Sequence, residues 1–139
     1  VNPEVVGWVQ IPNTVVSFPV YQASDNDKYL HTNAEGTYSL GGQVFMDYQN
    51  QAPGMLDQQT IIYGHHLRNG AMFKPIADMD KQEAFDSVST VWYVTEDATT
   101  SSSPSSSTTR TRMTPTCASL TGPATTSFTR TSLTFSPRP

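Results

Sequence analysis

The chain has 139 residues, a formal net charge of -4 and a pI near 5.1, a size that suits one domain. Hydrophobic residues at 36% and aromatic residues at 10% supply one modest core and not two. The acidic balance excludes a general nucleic-acid binder, whose phosphate contacts need clustered Lys and Arg, and the chain has no apolar run of about 18 residues, the length that marks a membrane span.

In chain order, Asn2, Pro3 and Gly7 predict a short capped helical turn ahead of a strand at Val9–Ile11. A turn at Pro12–Thr14 follows, then an extended piece at Val15–Val20, in which Pro19 argues for an edge or a bend. Asp27–His31 reads as one helical turn, and Gly42–Met46 as a strand followed by a polar excursion from Asp47 to Gln58. Thr60–Tyr63 is a β-branched and aromatic strand expected to end at Gly64, exposing His65 at a sheet rim. Asn69-Gly70 marks a tight turn. Ala71–Met79 predicts a short helix with Met72, Phe73, Ile76 and Met79 on one face, continuing over Lys81–Asp86. Thr90–Thr95 carries the strongest strand signal. Short strands between tight turns, without a βαβ rhythm, predict a mostly β domain. Trp8, Phe18, Phe45, Phe73, Trp92 and Tyr93 are its expected core aromatics, and His31 is read as structural and half exposed.

Composition changes sharply near Asp97. All twelve acidic residues lie between Glu4 and Asp97, whereas residues 98–139 contain four arginines, no acid and 23 Ser or Thr. Residues 98–112 have almost nothing apolar to offset the entropy of ordering a backbone, and read as a Ser/Thr-rich linker or loop. Phe128–Phe135 can form one further strand.

Few side chains can carry chemistry. The single cysteine, Cys117, excludes an internal disulfide and a multi-cysteine zinc site. Adjacent His65 and His66 face opposite ways on an extended backbone and form no metal-ligand motif. A cysteine–histidine enzyme is the stronger reading, because a thiolate nucleophile needs a neighbouring base or cation, and Arg130 is a candidate for the latter.

Five segments in order also resemble one family. Asn2-Pro-Glu-Val-Val-Gly-Trp-Val-Gln-Ile-Pro12, Phe18-Pro-Val20, Asp27-Lys-Tyr-Leu-His31 with Asn33, Gly42-Gln-Val-Phe-Met-Asp-Tyr48 with Asn50, and Thr60-Ile-Ile-Tyr-Gly-His-His66 followed by Gly70-Ala-Met-Phe73 resemble the sortases, most closely class B, over residues 2–95. The resemblance implies a sortase-like closed β-barrel with short helices, incomplete at its C-terminal side. It divides the chain into a barrel portion at 1–97, the linker at 98–112, and nucleophile and arginine strands within 113–139. By the same resemblance His65 is the catalytic histidine and Cys117, at the end of Thr114-Pro-Thr-Cys117, is the nucleophile. Thr116 assists the oxyanion, and Arg130 is preferred over Arg138, which lies near the terminus. Met113, Pro115 and the Ser/Thr run depart from the family pattern.

The activity so implied is that of a cysteine transpeptidase. It would cleave a C-terminal sorting peptide of a surface protein and pass the thioacyl group to a peptidoglycan cross-bridge or pilin amine. No cofactor is implied. The resemblance places the protein on the outer face of a Gram-positive membrane, held by an N-terminal anchor upstream of Val1. The alternative is a catalytically inactive sortase-like surface module on a Ser/Thr-rich stalk.

Overall fold

The computed structural model describes residues 2–105, 111–118 and 132–138. Their strands are β1 (Val5–Gln10), β2 (Ser17–Tyr21), β3 (Val44–Met46), β4 (Gln59–His65), β5 (Val91–Val94), β6 (Thr99–Ser105), β7 (Thr111–Ala118) and β8 (Ser132–Arg138). The ladders close into a barrel in the order β1-β2-β3-β4-β8-β7-β6-β5, with β5 returning to β1. Two neighbouring pairs, β2–β3 and β4–β8, are parallel, and the others are antiparallel. The architecture is therefore the mostly β closed barrel with short helices that the sequence suggested. Its C-terminal side, expected to be incomplete, supplies three of the strands.

Several local expectations are corrected. The first strand begins at Val5, not Val9. Asn2 accepts the Glu4 N–H at 2.9 Å and closes a turn, and from Val5 onward β2 offers the chain a backbone partner. Trp8, expected in the core, is 43% exposed because it alternates outward between the inward Gly7 and Val9; its indole N–H donates to Ser17 Oγ at 3.1 Å. Pro19 pairs with Trp8 of β1, and the β3 ladder begins only at Val20, so its missing N–H costs no second bond.

Thr99–Ser105, read as part of a linker, is strand β6. A ladder is made by backbone groups, and the edge of β5 supplies partners for residues 99–102 without any apolar side chain being needed. Residues 106–110 lie outside the described residues. So do residues 128–131 of the predicted last strand, whose described part is β8.

The core is built from inward positions of the strands, among them Val9, Val20, Val44, Met46, Ile62, Val91 and Tyr93. Helix α1 (Lys74–Ala77), a 3₁₀ turn at Asp78–Asp80 and helix α2 (Gln82–Ser87) cap it. Phe73, Ile76 and Met79 of the predicted apolar face are buried, and Met72 packs against them. The helical run breaks at Lys81, whose backbone is extended at φ -89, ψ 129. A second cluster of Tyr21, Tyr29 and Phe45 lies on the outer face of the sheet, with Leu30, Ala34 and Tyr63 packed against it. This cluster roofs the face of β4 that does not point into the barrel.

Candidate active site

β4 carries the histidines. Its residues alternate as the pleat requires: Thr60, Ile62 and Gly64 are buried, while Ile61 and Tyr63 are half-buried on the other face. His65 shares the parity of Ile61 and Tyr63, and the strand runs through Gly64 to include it. The expected exposure of His65 is therefore corrected. It ends the strand, but it is only 4% exposed.

Two contacts set the position of His65. The Phe73 N–H donates to the His65 carbonyl at 2.8 Å. Gly64 allows the Phe73 ring to lie against the strand, for a Cβ added at Gly64 would stand 2.7 Å from that ring. The Tyr-Gly-His…Met-Phe pattern thus has a local physical reason, since the glycine admits the phenylalanine that holds the histidine backbone. Between them the chain doubles back, with a bridge from His66 to Met72 and a turn in which Gly70 N–H donates to the Leu67 carbonyl at 3.0 Å.

On the outer face, Tyr63 donates from its hydroxyl to Asp47 at 2.8 Å, and Asn26 Nδ2 donates to the same carboxylate at 3.0 Å. The His31 ring stands 5.6 Å from that of His65, and the Tyr38 ring 6.3 Å from that of His31. His31, read from the sequence as structural and half exposed, is exposed and stands beside His65. Nothing in its local sequence signals this; the loop from the 3₁₀ turn Lys28–Leu30 to β3 brings it there. His66 turns the other way, and its Nδ1 is buried without a hydrogen-bond partner among the described residues. It contributes a minor part to holding the Asp78 carboxyl below its usual range, where the hydrogen bond from Lys74 is the main cause.

The remaining predicted residues are placed by backbone register. Cys117 and Thr116 lie on β7, paired with Thr100 and Ser101 of β6. Met113, Leu133 and Thr60 form one level across β7, β8 and β4. From that level His65 lies five positions along β4 in one direction, and Cys117 four positions along β7 in the other. Counted through β8, nine strand positions lie between the two. The register does not bring Cys117 to His65. Arg130 lies outside the described residues. The arginine whose backbone is paired with His65 is Arg138, on the parallel strand β8.

No group of three or more His, Cys, Asp or Glu side chains suited to a metal occurs among the described residues. No helix among them is long and apolar enough to cross a membrane.

No family model matches the chain. Individual relatives do. Sortase B of Listeria monocytogenes is 42% identical over 80 residues, covering 58% of this chain and 31% of that protein. Sortase B of Staphylococcus aureus is 34% identical over 86 residues, covering 62% and 35%. Among solved structures, sortase B from Bacillus anthracis superposes with a TM-score of 0.71 at 33% identity, over 80% of this chain and 51% of that one. Over this segment the chain resembles sortase B.

The sortase B resemblance extends to a Staphylococcus aureus sortase B–substrate complex, with a TM-score of 0.71, 27% identity and coverage of 81% and 50%. The chain thus spans about a third of the length of the curated sortase B relatives and about half of these solved chains. The structural likeness covers more of this chain than the sequence likeness does, 80% against 58%, so fold similarity persists where sequence similarity has faded.

Proposed function

We propose that this chain carries sortase-type cysteine transpeptidase chemistry, acting on a C-terminal sorting peptide of a surface protein. The observation that supports it is the presentation of His65 at the end of β4, backed by Gly64 and Phe73, within a barrel that resembles sortase B. Cys117, the one thiol in the chain, is the nucleophile in this reading. Its thiolate attacks the carbonyl carbon of the scissile peptide bond, and Thr116 and Arg130 steady the oxyanion. As the C–N bond breaks, His65 protonates the leaving amine and a thioacyl-enzyme remains. A cross-bridge or pilin amine then attacks the thioester, His65 takes its proton, and the thiolate is released. In this reading the reaction takes place on the outer face of a Gram-positive membrane.

One observation favours a second reading. Cys117 is paired with Thr100 of β6 and has no ladder contact with the strand that carries His65, which fits a catalytically inactive sortase-like surface module. Intact-mass analysis after treatment with a thiol-reactive sorting-peptide analogue separates the two. The transpeptidase reading expects a single adduct on Cys117 whose rate falls about 10²-fold or more in His65→Ala, the low end for loss of general acid–base help. Equal adduct rates in the two proteins would leave the inactive module.

A further inference from the structure

His65 lies on the face of β4 that points away from the barrel interior, yet it is buried. Something outside the barrel covers it. On this side the ring of His31 stands 5.6 Å from that of His65, tilted by 49°. Tyr38 continues the array, tilted by 31° to His31. Exposure rises outward along the three rings: His65 is buried, His31 is exposed, and Tyr38 is 77% exposed.

The loop that holds these rings is well tied. Thr32 and Tyr38 form a bridge, and the Ser39 N–H donates to the His31 carbonyl at 2.9 Å. Asn33 Oδ1 accepts from the N–H groups of Glu35 and Thr37 at 3.0 and 2.9 Å. At the far end Gly42, at φ +53, packs so closely that a Cβ would stand 2.2 Å from the Tyr29 carbonyl oxygen. His31 is thus held over His65 by a compact turn.

We propose that His31 is a positioning residue for His65, its ring covering the imidazole, fixing its plane and screening it from water and stray nucleophiles. The catalytic consequence rests on the function proposed above; the cover itself does not. Diethyl pyrocarbonate, which acylates accessible imidazoles, reads the cover directly when the modified histidines of the full chain are located by peptide mass mapping. His31→Ala is expected to speed modification of His65 by roughly two- to tenfold, the range that loss of an aromatic pair contact corresponds to. His66 serves as the internal control and should keep its rate. His31→Phe, which restores a ring, should bring His65 back to the wild-type rate. His31→Gln has no ring and should behave as alanine does, which keeps the test valid if alanine disturbs the turn.

An unchanged His65 rate in His31→Ala and His31→Gln would overturn the proposal. So would a phenylalanine variant as fast as alanine, or His65 and His66 rising together, which would mean local opening. These rates do not depend on Cys117. Failure of His65-dependent thiol chemistry would remove the catalytic reading and leave the cover standing, whereas equal modification rates would remove the cover alone.

Discussion

Gly64 does more than end a motif. Its missing Cβ leaves room for the Phe73 ring, and Phe73 in turn holds the carbonyl of His65. Gly64→Ala puts a methyl group 2.7 Å from a fully buried ring, so it should destabilise the fold by about 1–3 kcal/mol, the usual cost of overpacking. Urea unfolding checks this, and a change under about 0.5 kcal/mol, the level of an inert surface substitution, would refute it. Tyr29 makes a prediction of a different kind. Burial first, and then its hydrogen bond to the Glu4 carboxylate, push its phenol up to about 12. The folded chain therefore keeps a proton that the unfolded chain releases near 10, and this stabilisation is complete below pH 10 and lost as pH rises towards 12. Phenolate absorbance should show Tyr29→Phe lacking a late-titrating group, and the variant should lose less stability across that interval. Glu4 has the opposite sign. The Lys28 ammonium, hydrogen-bonded to its carboxylate at 2.7 Å, holds its carboxyl low, so its contribution is present above pH 4.5 and is lost on acidification.

The strands that the composition argued against are arranged so that their prolines cost little. Pro115 pairs with Ser102, but the ladder from β7 to β8 covers only Thr111–Met113. Pro104 likewise lies beyond the part of β6 paired with β5. Both prolines therefore occupy positions with a ladder on one side only, where a missing donor is tolerated. Thr134 differs, being paired with Ile61 on one side and Arg112 on the other. Thr134→Pro should cost about 3 kcal/mol or more, whereas Pro115→Thr should change stability by less than about 1 kcal/mol. Thermal unfolding of the two variants side by side tests the register. If they behave alike, the ladder from β7 to β8 is not as described.

Closure of the barrel decides which chemistry can meet. β8 lies between β4 and β7, so it separates the histidine strand from the cysteine strand and pairs the backbone of its own Arg138 with that of His65. Arg130→Ala should lower the His65-dependent reactivity of the chain by about tenfold or more, because the proposed reaction uses its cation at the oxyanion, and Arg138→Ala, at the residue whose backbone pairs with His65, is the comparison. The adduct assay carried out on both variants measures this. A larger loss in Arg138→Ala would favour the arginine whose backbone pairs with His65 over the one that the family resemblance selected.

Much of the barrel was legible in the residues. Short β-branched and aromatic runs at Val15–Val20, Thr60–Tyr63 and Thr90–Thr95 lie in or beside strands of the structure, and the spacing of Phe73, Ile76 and Met79 marked the buried helical face. These signals are local, set by side-chain periodicity and turn chemistry. The Tyr-Gly-His segment is local too, which is why His65 stands out in the bare chain. β6 was not legible, because a Ser/Thr strand draws its partners from a neighbouring edge and not from its own side chains. Nor was the surrounding of His65. Its ring contact with His31 comes from a loop more than twenty residues upstream, and the arginine paired with its backbone from a strand at the other end of the chain. Residue pattern is enough to specify a β domain and a histidine at a strand end. What that histidine faces is set by the folded barrel, because ring contacts and strand register arise between segments distant in the chain.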